Sequence, residues 1–179
     1  GVGNLFTTTR TYDWNPDFSP EEVNDLLKIY FGAETIHALE YAKDPQGKPL
    51  DGTGHIDMFA KIVDPCIVIV AKTESEVFTE ITQAAANYFA NLECGAPGDT
   101  YQVFPTKAWS VWYTDPAYPY SPPFTVWYTY TNSLIVNDVV IIPGYESGNN
   151  TEALLVYQTA SPNRTILQTN TDLPITYGG

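Results

Sequence analysis

Basic residues are scarce in this chain of 179 residues. Eight Lys and Arg stand against 21 Asp and Glu, a formal net charge of −13. Such a surface repels phosphate backbones, and the few cations form no cluster, so no nucleic-acid partner is expected. Long apolar runs are also missing. No stretch approaches the ~20 residues of a membrane-spanning helix, so no membrane partner is expected either. Cysteine is limited to Cys66 and Cys94, without C-x-x-C spacing, and histidine to His37 and His55. These residues make no zinc signature, and the glycines around His55 match no phosphate-binding pattern, so neither a metal nor a cofactor is expected. Disorder does not fit a chain with 44% hydrophobic and 14% aromatic residues.

What is present has the length of one domain with a real core. Its most informative stretch is Asp51–Asp64, DGTGHIDMFAKIVD. After the flexible approach of Gly52 and Gly54, the residues from His55 to Ile62 read as a β-strand. Alternation puts His55, Asp57, Phe59 and Lys61 on one face, with Ile56, Met58, Ala60 and Ile62 on the other, buried one. An imidazole and a carboxylate two residues apart then point the same way, as a general acid/base paired with a cation-holding carboxylate requires. Asp51 and Asp64 flank the strand as turn residues, with Asp51 also able to sit behind the pair. A bare H-x-D on a strand equally suits a solvated face, so the rest of the chain has to decide.

Upstream, Leu5–Thr9 is β-prone and Asp13–Pro20 is turn chemistry. Ser19, Pro20 and Glu22 read as a capped helix start, followed by Val23, Leu26, Leu27 and Tyr30 at helical spacing and Gly32 as terminator. Glu34–Leu39 reads as a strand, with His37 on it as a structural or surface residue. Downstream, Cys66–Val70 is a buried apolar strand. Thr73 and Glu76 suggest a second capping box before a helix whose stripe runs from Val77 to Leu92. Tyr101–Phe104 is a strand. Trp109–Phe124, rich in aromatics and in Pro116, Pro119, Pro122 and Pro123, reads as a long loop, and Trp109, Trp112 and Trp127 suit packing or a carbohydrate platform. Val126–Tyr130, Leu134–Val136 and Val139–Ile142 are strands, Thr151–Thr159 a helix and Thr165–Leu167 a strand.

The order repeats. Two strands, a helix and a strand occur at His55–Phe104 and again at Leu134–Leu167, with Leu5–Leu39 as a truncated copy. Repeated ββαβ units of roughly fifty residues suggest an α/β propeller with active groups at its centre. Two and a half units do not close a ring, so the chain reads as an incomplete arc.

The strand from Cys66 runs out and the helix to Leu92 runs back, at roughly 3.3 and 1.5 Å per residue, which brings Cys94 near Cys66. A disulfide, two buried thiols or, least of all, a catalytic thiol remain open there. Asn149-Asn150-Thr151 and Asn163-Arg164-Thr165 fit the glycosylation acceptor pattern, which points with the composition toward a secreted, extracellular protein carrying glycans at Asn149 and Asn163.

H-x-D in the second unit, then AANYFA in the long helix, then YTNSLIVN (Tyr130–Asn137) and ALLVYQTASP (Ala153–Pro162) resemble, in that order, the guanidino-group-modifying or pentein superfamily. Within it the chain is most similar to the Porphyromonas-type peptidylarginine deiminases, with agmatine deiminases next. The resemblance implies one pentein catalytic domain of which residues 1–179 are the central part. It also implies a cysteine hydrolase that converts the guanidinium of peptidyl-arginine to citrulline and releases ammonia. His55 corresponds to the family's acid/base, Asp57 to a guanidinium-binding carboxylate and Asn132 to an asparagine near the substrate. The family's nucleophilic cysteine would follow Gly179, after a glycine-rich turn that Gly178 and Gly179 begin. The expected partners are an arginine-containing peptide or protein and other chains of the same processed precursor that complete the propeller. Agmatine deiminase, or a non-catalytic pentein-like binding protein, are the alternatives.

Overall fold

Short-range side-chain chemistry builds the first part of the chain. The structure, a computed structural model, describes residues 3–114 and 124–172. Gly1, the four loop prolines and Gly178–Gly179 lie outside the described residues. Strand β1 (Asn4–Thr8) leads into a one-turn helix, α1 (Arg10–Asp13), which fills residues given no element from the sequence and ends on the first residue of the expected turn. The Arg10 guanidinium lies 3.8 Å from the Trp14 ring centroid, four residues on, and that pair supports the extra turn. Helix α2 (Pro20–Phe31) starts as its sequence dictates: Ser19 Oγ accepts from the Glu22 N–H at 3.3 Å and the Glu22 carboxylate accepts from the Ser19 N–H at 2.8 Å. Gly32, left-handed at φ +65°, ends it. Of the expected apolar stripe only Val23 is buried, while Leu26 and Tyr30, with Ile29 and Phe31, are exposed. Strand β2 (Thr35–Leu39) then pairs parallel to β1.

Two larger sheets follow. The central one has the order β3 (Ala60–Asp64), β4 (Ile67–Lys72), β5 (Gln102–Tyr113), β6 (Phe124–Thr129). The third has β7 (Leu134–Val136), β8 (Val139–Gly144), β9 (Thr165–Asn170). Each begins with an antiparallel pair and gains a parallel strand through a helix, α3 (Glu76–Asn91) between β4 and β5 and α4 (Asn150–Ala160) between β8 and β9. Parallel pairing demands such a crossover. Strand β4 is the floor of the core: Val68, Ile69 and Val70 are at most 1% exposed, as a strand covered on both faces must be.

Three expectations change. Strand β5 runs on to Tyr113, so Trp109–Tyr113 is strand and not loop. It pairs with β6, and the Trp109 and Tyr128 rings stack across the register at 5.3 Å. Helix α3 is capped by Ser75, whose side chain makes no capping bond, and Thr73 Oγ1 accepts the Ser75 N–H at 3.1 Å in place of a Thr73–Glu76 box. The strand expected from His55 begins only at Ala60. Trp127 is packing, 1% exposed and stacked on Phe78 at 3.9 Å. Among the described residues no helix is long and apolar enough to cross a membrane.

Cys66 and Cys94 are joined, with Cα atoms 5.4 Å apart, which closes the alternatives left open above. His37 is structural. Its Nδ1 lies 2.6 Å from the Tyr88 hydroxyl, its Nε2 3.0 Å from Asn4 Oδ1, and Phe6 stacks on the ring at 4.6 Å. One imidazole thereby ties β1, β2 and α3 together.

Two outcomes follow from these contacts. Reduction of the disulfide, read as a mass gain of about two units, frees a 28-residue separation and lowers stability by about 3–4 kcal/mol in chemical denaturation. Burial lowers the His37 pKa below its ordinary 6.5, so the folded state favours the neutral ring. Its contribution is complete above that ordinary value and is lost as pH falls through the lowered one. Thermal unfolding between pH 5 and 8 should therefore show wild type losing more stability on acidification than His37→Gln.

Candidate active site

The Gly54–Met58 segment is shaped by contacts from three directions. Gly54 is left-handed at φ +67°, and a Cβ there would sit 2.6 Å from Arg10 Cδ and 2.9 Å from Tyr41 Cδ2, so only glycine fits. Its N–H donates to Asp51 Oδ1 at 2.6 Å, and its carbonyl accepts from the buried Thr8 hydroxyl at 2.6 Å. Asp51, 8% exposed, also accepts the Thr53 N–H at 2.8 Å. Burial pushes the Asp51 carboxyl up, against the pull of those two N–H donors and of nearby His55. Asp51 is thus a turn residue.

His55 is extended at φ −78°, ψ 150° and exposed; Ile56–Met58 form a single 3₁₀ turn, and β3 starts after Phe59. The expected alternation fails here: Phe59 is 4% exposed and joins the core, although it was assigned to the face of His55 and Asp57. The cause is non-local. Trp127 Nε1 donates to Met58 O at 2.8 Å and Thr131 Oγ1 donates to Asp57 O at 2.8 Å, so strand β6 and the residues after it take the carbonyls that a continuous ladder would use.

The turn nevertheless keeps His55 and Asp57 together. Both line one cavity of about 600 Å³, with Thr8, Arg10, Trp14 and Lys61 among its other walls. Asp57 Oδ1 is buried and has no hydrogen-bond partner among the described residues. Burial lowers the Lys61 pKa, and the Asp57 charge opposes that shift. Asn132 is not in the wall. Its Nδ2 meets the Met58 sulfur at 3.6 Å, so it contacts the far side of the same turn. Thr8 and Arg10 were not singled out from the sequence, and Thr131 only as part of the Tyr130–Asn137 match, because a threonine or an arginine carries no local signal of a partner so distant in the chain. A cavity that joins an imidazole to a carboxylate can hold a planar cation by charge-assisted hydrogen bonds and exchange protons with it.

The architecture defines the class first: a mixed α/β fold with curled sheets, similar to the pentein-fold deiminases. An agmatine deiminase of Enterococcus faecalis superposes with a TM-score of 0.78 and 26% identity, over 100% of this chain and 52% of that one. A Porphyromonas gingivalis structure, solved as a candidate arginine deiminase, superposes with a TM-score of 0.77 at 24% identity, over 100% and 51%. The family model of the Porphyromonas-type peptidyl-arginine deiminases matches residues 1–179, and the chain belongs to that family. Among curated relatives, an agmatine deiminase of Pseudomonas aeruginosa is 26% identical over 184 residues, which covers 93% of this chain and 48% of that protein. The chain spans about half the length of the curated relatives it matches.

The anchoring of Gly54 gives a test. Asp51→Ala leaves the buried Gly54 N–H and the half-buried Thr53 N–H without this acceptor and should lower stability by about 1–3 kcal/mol, whereas Asp51→Asn, which keeps an Oδ1 acceptor, should retain most of it; denaturant unfolding of the two variants reads the difference.

Proposed function

We propose that the chain forms part of a deiminase that hydrolyses the guanidinium of peptidyl-arginine to citrulline, and the observation that carries this reading is Asp57, its Oδ1 unpartnered among the described residues, beside His55 in one cavity. Asp57 accepts hydrogen bonds from the guanidinium nitrogens and fixes the plane of the cation. A thiolate attacks the central carbon, and His55, as imidazolium, gives its proton to the departing nitrogen, so that ammonia leaves and a thiouronium remains. His55, now neutral, takes a proton from water; the hydroxide adds to the same carbon, the C–S bond breaks to release the thiolate, and the added hydroxyl gives its proton to solvent, where ammonia takes it up, leaving the neutral ureido product. Asn132 supports the turn that carries Asp57 from its contact with Met58, and a substrate contact for it belongs to this same proposal.

Both cysteines of the chain are joined to each other, so neither supplies the thiolate. The nucleophile comes, in this reading, from a segment following Gly179. Residues 1–179 are then the central arc, about two and a half ββαβ blades, of a single propeller-like catalytic domain. Its partners are the arginine-containing substrate and the remaining polypeptide of the same precursor. The disulfide and the exposed acceptors Asn149 and Asn163 favour secretion and glycosylation.

Agmatine is the second substrate reading, and the agmatine deiminases among the relatives favour it at least as well. The intact protein should form peptidyl-citrulline and ammonia from an arginine peptide, or carbamoylputrescine and ammonia from agmatine, and thiol alkylation should abolish either. His55→Ala should lower kcat by about 10²–10⁴-fold and Asp57→Asn should act mainly on kcat/KM. Turnover of neither substrate, or a His55→Ala enzyme as fast as wild type, overturns the catalytic reading in favour of a non-catalytic binding protein.

A further inference from the structure

The third sheet leaves one apolar face open. Register and alternation set Leu134, Ile141 and Leu167 side by side in one row across β7, β8 and β9, with Val136 and Val139 paired in the next row on the same face. Leu134, Val136 and Leu167 are 58%, 49% and 50% exposed, whereas Val140 and Ile142, which point to the opposite face, are fully buried. We infer that this open face is the seat of an amphipathic helix from a further ββαβ unit of the same protein, outside residues 1–179.

The molecule takes the same step twice already. Its three sheets share one hydrogen bond at the start of their parallel pairs: the Thr35 N–H donates to Gly3 O at 2.9 Å, the Gln102 N–H to Cys66 O at 2.8 Å and the Thr165 N–H to Asp138 O at 2.8 Å. Counted from that bond, the register pairs Phe6–His37, Ile69–Phe104 and Ile141–Leu167 are equivalent. On the first sheet the Phe6–His37 pair meets α3, the helix of the next unit. Phe6 packs on Phe89 with ring centroids 5.3 Å apart, and the His37 ring lies 2.6 Å from the Tyr88 hydroxyl. On the central sheet both α3 and α4 lie against β4, and because Val68, Ile69 and Val70 are all buried, the two helices take opposite faces. Helix α4, again the helix of the next unit, is thereby shared between β4 and β5 on one side and its own β9 on the other. The equivalent pair on the third sheet is the one left open.

Helix α4 shows the chemistry such an occupant needs. Its Ala153, Tyr157 and Ala160 are buried and Leu154 and Val156 pack on the same core, while Glu152, Leu155 and Thr159 form its exposed strip. A helix held between two sheets carries small or apolar residues on two sides, unlike the single stripe of a surface helix. The start of the series obeys the same rule: among the described residues no sheet precedes that of α2, and its Leu26, Ile29 and Tyr30 stay exposed. The relatives point to the same polypeptide as the source, because the chain spans about half the length of those it matches. The seat follows from the proposed reading of residues 1–179 as an arc of repeated units and owes nothing to the deiminase chemistry.

The test places the photo-crosslinking residue p-benzoylphenylalanine at Leu167 of the intact protein, with the exposed Leu155 of α4 as control, and maps the adducts by mass spectrometry. Leu167 should crosslink within its own polypeptide to a helix outside residues 1–179, and Leu155 should not. In parallel, Leu134→Thr with Leu167→Thr, which keep strand propensity but remove apolar surface, should lower the thermal unfolding midpoint of the intact protein by about 4 °C or more. Leu155→Glu, on an exposed helix position, should leave the midpoint nearly unchanged. A crosslink from Leu167 to α2 of a second copy, seen at twice the mass, overturns the inference, as does the absence of any crosslink together with an unchanged midpoint. Neither measurement reads turnover, so failure here leaves the deiminase reading standing, and failure of that reading leaves this face as it is.

Discussion

Everything near His55 depends on the capture of two backbone carbonyls. Trp127 and Thr131 donate to Met58 O and Asp57 O from more than sixty residues away, and Thr8 and Asp51 hold Gly54 from the other side. The peptide segment ahead of β3 is folded into one 3₁₀ turn in place of further strand. The net gain of each bond is only about 1 kcal/mol, but leaving such groups buried and unpaired would be worse by more than that. The turn is therefore fixed by the packing of the central sheet, and the spacing of His55 and Asp57 is inherited from it.

That dependence explains what could be read from residues alone. The start and stop of α2 were legible because Ser19, Pro20, Glu22 and Gly32 act within one helical turn of themselves. The buried β4 was legible because a strand covered on both faces has to be apolar throughout. The H-x-D pattern and the family resemblance pointed to His55 and Asp57, which line one cavity, whereas the geometry of the segment that carries them was not legible. Alternation is a rule for an uninterrupted ladder, and the hydrogen bonds that interrupt it come from residues with no local mark. The same applies to β5: aromatic residues between prolines suggest an irregular loop until β6 supplies the partners that make Trp109–Tyr113 a strand. The disulfide lay between, since local geometry brought Cys66 and Cys94 together without deciding their chemistry.

The scarcity of positive charge gives the cations that remain more meaning. Arg10 braces Gly54 against Trp14 and Tyr41, Lys61 stands in the wall beside Asp57, and Lys72 and Lys107 share one corner. In a chain with a net charge of −13, an incoming cation meets an attractive field over much of the surface.

The outer end of α2 has a consequence of a different kind. Ile29, Tyr30 and Phe31 are 74%, 80% and 68% exposed, three consecutive apolar residues on a helix of an otherwise anionic molecule. At low ionic strength the mutual repulsion of the molecules keeps such surfaces apart. At 1 M salt the screening length shrinks to about 3 Å, and the apolar ends can meet.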